Sequence, residues 1–191
     1  MKRRGERKKA RVLRSRLLYH GGIFQVRQDV VREPRPGRQQ LGRAVVREMV
    51  EHRGSVVVLP VLPDGRILLV RQYRHAAGGF LWELVAGGIG EGELPVAAAK
   101  RELAEETGYA AGRLERLASY FPTPGFLSEV MHVFRATGLR AGRARPEEDE
   151  SLEVRAFRRP ELERMLRRKK LRDGKTILGV LLHWAEKRRR R

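Results

Sequence analysis

The chain has 191 residues, a length for one domain with room for a small extra lobe, and long enough to bury a core without covalent staples. It contains no cysteine, which excludes a disulfide scaffold, a thiol nucleophile and a thiolate zinc site. No apolar run approaches the roughly 20 residues that span a bilayer, and the basic N-terminus is not followed by an apolar signal stretch, so no membrane partner and a cytoplasmic location are expected.

The formal net charge is +19, unevenly placed. Residues 1–16 hold nine Lys or Arg against Glu6, a net +8, and residues 187–191 add five more positive charges. That leaves +6 on residues 17–186, a modest excess that suits an anionic substrate. The tails can bind nucleic acid, or simply be solvated ends; they carry almost no aromatic residues on which bases would stack.

In chain order, residues 1–16 read as a basic flexible arm. Residues 17–31 give strand-like stretches around Gly21-Gly22, and 33–38 a Pro/Gly loop. Apolar β-branched runs follow at 44–46 and 55–61, and Asp64-Gly65 signals a hairpin into Ile67–Val70. Phe80–Val85 reads as another short strand. A glycine-rich loop over 86–92 precedes a helix that opens at Pro95, runs through strong helix formers to Thr107 and stops at Gly108. Strands are expected near 114–121, 129–139 and 152–157, the last preceded by the acidic loop Pro146–Glu150. Helices are expected at about 160–170 and 174–187. This order is an α+β or sandwich pattern, not a regular βαβ alternation.

The helix after the glycine loop carries the chemistry. With Glu102 at 0°, Glu106 falls at about 40° and Glu105 at about 300°, so three carboxylates share about 100° of arc. Like charges this close repel, and acids toward a helix C-terminus oppose the dipole. A hard divalent cation, Mg²⁺ or Mn²⁺, would remove the repulsion; a solvated Glu-rich helix with incidental Arg pairs is the alternative. Gly87 and Gly88 let backbone approach closely and can aim the Ala86 carbonyl at the same ion.

Gly87, five residues, Glu93, seven residues, then Arg101-Glu102-Leu103-x-Glu105-Glu106-x-Gly108-Tyr109 resembles the Nudix box, departing only at Tyr109, where an aliphatic residue is usual. The resemblance implies a Nudix-type α/β/α sandwich around a mixed β-sheet, with an N-terminal strand segment. It also implies Mg²⁺- or Mn²⁺-dependent hydrolysis of a nucleoside diphosphate linked to another moiety. Carried over by position, Glu102, Glu106 and the Ala86 carbonyl would hold the metal, Glu105 would assist a further ion, and Glu93 and Arg101 would brace the loop against the helix. Val70–Arg74, Trp82–Gly87, Tyr120–Glu129 with Pro124 about fifteen residues past the box, and Asp173–Ile177 are similar to the ADP-ribose pyrophosphatase branch. That branch implies Arg74 as a phosphate ligand, Glu129 near the adenosine-side ribose or the metals, and a catalytic base from the acidic loop, Glu148 or Glu150. It further implies a homodimer through residues 17–50, with 51–186 as the hydrolase domain; the basic tail at 187–191 lies outside the resemblance. The implied reaction is ADP-ribose to AMP and ribose 5-phosphate. The box reads the pyrophosphate and not the base, so GDP-mannose, NADH, FAD and dinucleoside polyphosphates stay open as substrates. The tails keep open an RNA-associated role. Tyr73, Trp82 and Phe126 are either base-stacking or core residues.

Overall fold

The structure is a computed structural model and describes residues 9–143 and 152–189, with side chains through Glu186. The chain divides into two units: one runs through His52 and includes Thr123–Glu129, the other takes Arg53–Pro122 and the residues from Val130 onward.

The first unit is a three-stranded antiparallel sheet in the order β1 (Arg11–His20), β2 (Gln25–Pro34), β3 (Leu41–Glu51). The flexible arm expected over 1–16 is corrected here, because residues 11–16 are the first part of β1. The β2 ladder takes up their backbone groups, and a polar cluster across the sheet, Ser15 with Asp29 and Arg27, fixes their register. All ten β1 residues are exposed, five of them large and apolar or aromatic. The loop over 123–129 is tied to the end of β3. Val50 N–H donates to the Phe126 carbonyl (2.7 Å), Ser128 N–H to the Val50 carbonyl (3.0 Å), and His52 N–H to Ser128 Oγ (3.0 Å).

The second unit is built around β4 (Ser55–Pro60), six consecutive buried residues. A continuous apolar strand needs cover on both faces, and β4 has it. Val56 and Val58 pack with Ala98, Ala99 and Leu103 of helix α1 (Pro95–Thr107), whereas Val57 and Leu59 join Leu84, Val133, Val180 and Trp184 in a second core that includes helix α3 (Gly174–Arg189). Two helices therefore sandwich a sheet, as the resemblance implies. In this sheet β4 lies between edge strand β7 (Val85–Gly88, antiparallel) and β10 (Met131–Thr137, parallel), and β9 (Arg113–Tyr120) follows. A second sheet has the order β12 (Glu153–Phe157), β5 (Ile67–Arg74), β6 (Gly79–Glu83). Strands β8 (Tyr109–Ala110) and β11 (Arg140–Ala141) make a short ribbon, and α2 (Arg159–Arg167) adds Leu162 to the core.

Asp64-Gly65 does form a tight turn, with Gly65 at φ 84°, but not a hairpin: beyond one bridge, Val61 to Ile67, β4 and β5 enter different sheets. The single strand expected over 80–85 is two strands broken at Leu84. The last helix continues to Arg189, into the residues expected as tail. Among the described residues no helix is long and apolar enough to cross a membrane.

Candidate active site

The loop–helix segment is organised by Arg101. Its Nε and Nη2 donate to the two Glu93 oxygens (both 3.1 Å), Nη2 also reaches the Gly88 carbonyl (3.0 Å), and Nη1 donates to Glu102 (2.6 Å) and Glu105 (3.0 Å). Glu93 in turn accepts the Gly90 N–H at 2.9 Å. The bracing of loop against helix by Glu93 and Arg101 is thus present as direct contacts. The hydrogen bond from Arg101, then the Gly90 amide, hold the Glu93 carboxyl below its ordinary pKa. The same bond to Glu93, with Glu102 adding to it, pushes the Arg101 guanidinium up against the cost of desolvation.

Two glycines shape the site for different reasons. Gly108, at φ 72°, ends α1 in the left-handed conformation and donates its N–H to the Ala104 carbonyl (2.9 Å). Gly87 lies in β7, where the place of its missing Cβ is filled by the Glu102 carboxylate. Glycine here is a cradle for that side chain. Next to it, the Ala86 N–H turns away from β4 and reaches Glu106 Oε1 at 3.4 Å. In an extended strand the N–H and C=O of one residue share a side, so the Ala86 carbonyl faces the same edge. Glu106 is 2% exposed.

Among the described residues no three His, Asp or Glu side chains are already gathered as a cation cage. Glu102 and Glu105 are turned onto Arg101, while Glu106 lies toward Ala86. The donor set still fits a hard divalent cation: carboxylate and carbonyl oxygens only, beside a backbone position that a carboxylate can approach because Gly87 has no side chain.

Arg74 ends β5 and is gripped by a residue that sequence reading missed. Its Nε and Nη2 donate to the two oxygens of Glu83, each at 2.9 Å. Glu83 is 1% exposed and also accepts from the Lys175 ammonium. Burial pushes the Glu83 carboxyl up, but Arg74 and Lys175 outweigh it and hold it below its ordinary value. Arg74 is raised in turn, chiefly by the bond to Glu83. The signal for Glu83 was a single acid inside the apolar run 80–85; its second partner lies 92 residues away. Beside Lys175 opens a cavity of about 400 Å³ lined by Tyr120, Pro122, Met131, Asp173 and Gly174.

The other expected site residues fall elsewhere. Glu129 belongs to the first unit, is 9% exposed, and has Oε1 3.6 Å from His52 Nδ1. Glu148 and Glu150 lie outside the described residues. Trp82 packs edge-on against Phe157 and is core, whereas Tyr73 and Phe126 are more than half exposed.

The profile of the NUDIX domain matches residues 51–178. The ADP-ribose pyrophosphatase of Bacillus subtilis (strain 168) is 36% identical over 141 residues, covering 73% of this chain and 76% of its own. The ADP-ribose pyrophosphatase of Mycobacterium tuberculosis (strain ATCC 25618 / H37Rv) is 43% identical over 127 residues, covering 66% of this chain and 58% of its own. A crystal structure described as an ADP compounds hydrolase superposes with a TM-score of 0.76 at 21% identity, over 95% of this chain and 96% of that one, and shows the same fold. A box braced by Arg101, cradled at Gly87 and set in a two-helix sandwich is thus matched by sequence and by fold, and the chain belongs to the Nudix family.

Proposed function

We propose that this protein is a cytoplasmic, Mg²⁺- or Mn²⁺-dependent hydrolase of the pyrophosphate bond of a nucleoside diphosphate sugar, converting ADP-ribose to AMP and ribose 5-phosphate. The observation that carries the reading is the Glu102 carboxylate seated where Gly87 lacks a side chain, next to an Ala86–Glu106 contact. These contacts keep acid side chains of α1 beside the backbone of β7, and oxygen donors of this kind suit a hard cation, which supports the reading. The names of the two bacterial relatives support ADP-ribose as the sugar nucleotide.

In this mechanism Glu102, Glu106 and the Ala86 carbonyl would hold the metal, and Glu105 would assist a further ion. When bound, such ions neutralise the pyrophosphate and acidify an attacking water. Glu148 or Glu150 takes a proton from the attacking water as the water oxygen bonds to one phosphorus; the bridging P–O bond of that phosphorus breaks, and the other phosphate leaves with the electron pair. Arg74 binds a non-bridging phosphate oxygen, for which a guanidinium is suited.

Hydrolysis should be measured across ADP-ribose, GDP-mannose, NADH, FAD, a diadenosine polyphosphate and 5′-triphosphate RNA, with each metal and with EDTA. The expected result is a preference for ADP-ribose of about tenfold or more in kcat/KM, the size of one good polar discrimination, abolished by EDTA. A flat panel, or RNA as sole substrate, would overturn the reading and turn attention to the basic tails.

The protein acts as a homodimer in this proposal. The support is β1, an edge strand whose Val12, Leu13, Leu17, Leu18 and Tyr19 are 44–55% exposed. An uncovered strand of this composition is a pairing hazard unless a partner covers it. Leu17→Asp should convert a dimer to a monomer in light scattering; a wild-type chain that is already monomeric would refute the proposal.

A further inference from the structure

Glu83 is costly where it stands. A buried carboxylate with cationic partners returns about what its desolvation takes, and an apolar pair would hold β6 as well or better. Its arrangement is nonetheless closed on every side. Oε1 accepts Arg74 Nε, and Oε2 accepts Arg74 Nη2 and the Lys175 ammonium. Lys175 is held by Asp173 Oδ1 (3.0 Å). Asp173 Oδ2 caps α3 by accepting the Thr176 N–H (3.0 Å) and the Thr176 hydroxyl (2.5 Å). Thr176 Oγ1 in turn accepts the N–H of Leu84 at 2.7 Å, so the residue after Glu83 is pinned to the same helical turn. Two positions on is Ala86, whose N–H reaches Glu106.

Two cations and two carboxylates balance, so this cluster contributes orientation and not net charge. Fork-to-fork pairing uses the Nε–Nη2 edge of Arg74 and leaves the Nη1 edge turned to the other side, on a side chain that is 40% exposed. We propose that Glu83 and Lys175 are positioning residues: anchored through Asp173 and Thr176 to the start of α3, they fix the Arg74 guanidinium with its Nη1 edge presented to a substrate phosphate oxygen. The inference rests on the reading of Arg74 as a phosphate ligand.

The test is a double-mutant cycle in the full-length protein, read as kcat/KM for ADP-ribose together with thermal melts. Arg74→Ala alone should cost about 30-fold, the loss of one charge-assisted contact. Glu83→Gln, which keeps size and one acceptor, should cost about tenfold in the wild type and under about twofold in the Arg74→Ala background, because it acts only through Arg74. Lys175→Met should follow the same pattern with a smaller factor, and serves if Glu83→Gln does not fold. A merely structural role predicts equal losses in both backgrounds, and that result overturns the inference while leaving Arg74 in place. A persistent Lys175→Met loss in the Arg74→Ala background overturns it too, since Lys175 would then contact substrate directly from the cavity wall. If Arg74→Ala has no effect, the phosphate reading of Arg74 itself falls, and the inference with it.

Discussion

Glu106→Gln is expected to lower turnover by about a thousandfold, the scale of removing one charged group that stabilises a reacting oxyanion site. The substitution keeps the shape of the side chain, and a glutamine oxygen can still accept the Ala86 N–H that Glu106 Oε1 now takes. What it deletes is a negative charge at a 2% exposed position near the C-terminal end of α1, on the same face as Glu102 and Glu105. That charge is unfavourable to the folded chain without metal. Its burial is costly, and it opposes the helix dipole and repels the neighbouring acids, together worth about 1 kcal/mol, against the attraction of Arg74. Activity and stability should therefore move in opposite directions. The metal-free variant should melt at or above the wild-type temperature, while hydrolysis nearly vanishes. Added Mg²⁺ should stabilise the wild type, as any ligand of the native state does, and stabilise the variant far less. Near-normal turnover in Glu106→Gln, or equal Mg²⁺ stabilisation of both proteins, would remove Glu106 from the metal site.

The local parts of this site were legible in the sequence because they are written in short spacings. Pro95 and Gly108 bound α1 at the residues where the structure starts and ends it. The eight-residue separation of Glu93 and Arg101 becomes a direct double hydrogen bond because both belong to one loop–helix unit. Partner identity across the fold was not legible. The continuous apolar runs 55–61 and 67–70 show two strands and Asp64-Gly65 shows a turn, yet no local pattern says that β4 pairs with β7 and β10 while β5 pairs with β6 and β12. Glu83 is one acid in a strand-like run, and nothing local names its partners. Only the packing of α3 against the sheet brings Lys175 to it from 92 residues away. In Arg11–Arg16 the density of positive charge concealed a strand. An edge strand with both faces exposed has no apolar alternation to reveal it, and its order comes from the β2 ladder and the Ser15–Asp29–Arg27 cluster. The docking of Thr123–Glu129 on the end of β3 is likewise a pairing between residues more than seventy positions apart, and it puts Glu129 beside His52.

Gly87→Ala tests the other half of the proposed metal site with a single methyl group. Gly87 is not among the positive-φ glycines, and in β7 an alanine meets no backbone strain. The added Cβ would instead overlap the Glu102 carboxylate, the far end of a flexible side chain that can swing aside at little cost. Stability should thus change by less than about 1 kcal/mol, and the lost chain entropy of the unfolded state can even raise it. Turnover should fall by about a hundredfold or more, because in the proposed site a carboxylate displaced by an ångström or so would no longer share an ion with Glu106 and the Ala86 carbonyl. The loss should appear as a weaker dependence of rate on Mg²⁺, shifting half-activation to higher metal, with the melting curve nearly unmoved. Gly88→Ala is the comparison: nothing lies within 4 Å of a Cβ built there, and it should lose far less. Two adjacent glycines in one strand, one with a carboxylate in the place of its Cβ and one with open space there, separate a requirement for this carboxylate from a general intolerance of side chains in the strand. If both alanine variants lose activity equally, the cradle at Gly87 is not what the reaction needs from this strand. If Gly87→Ala alone retains full turnover, Glu102 does not hold the metal from the position it occupies.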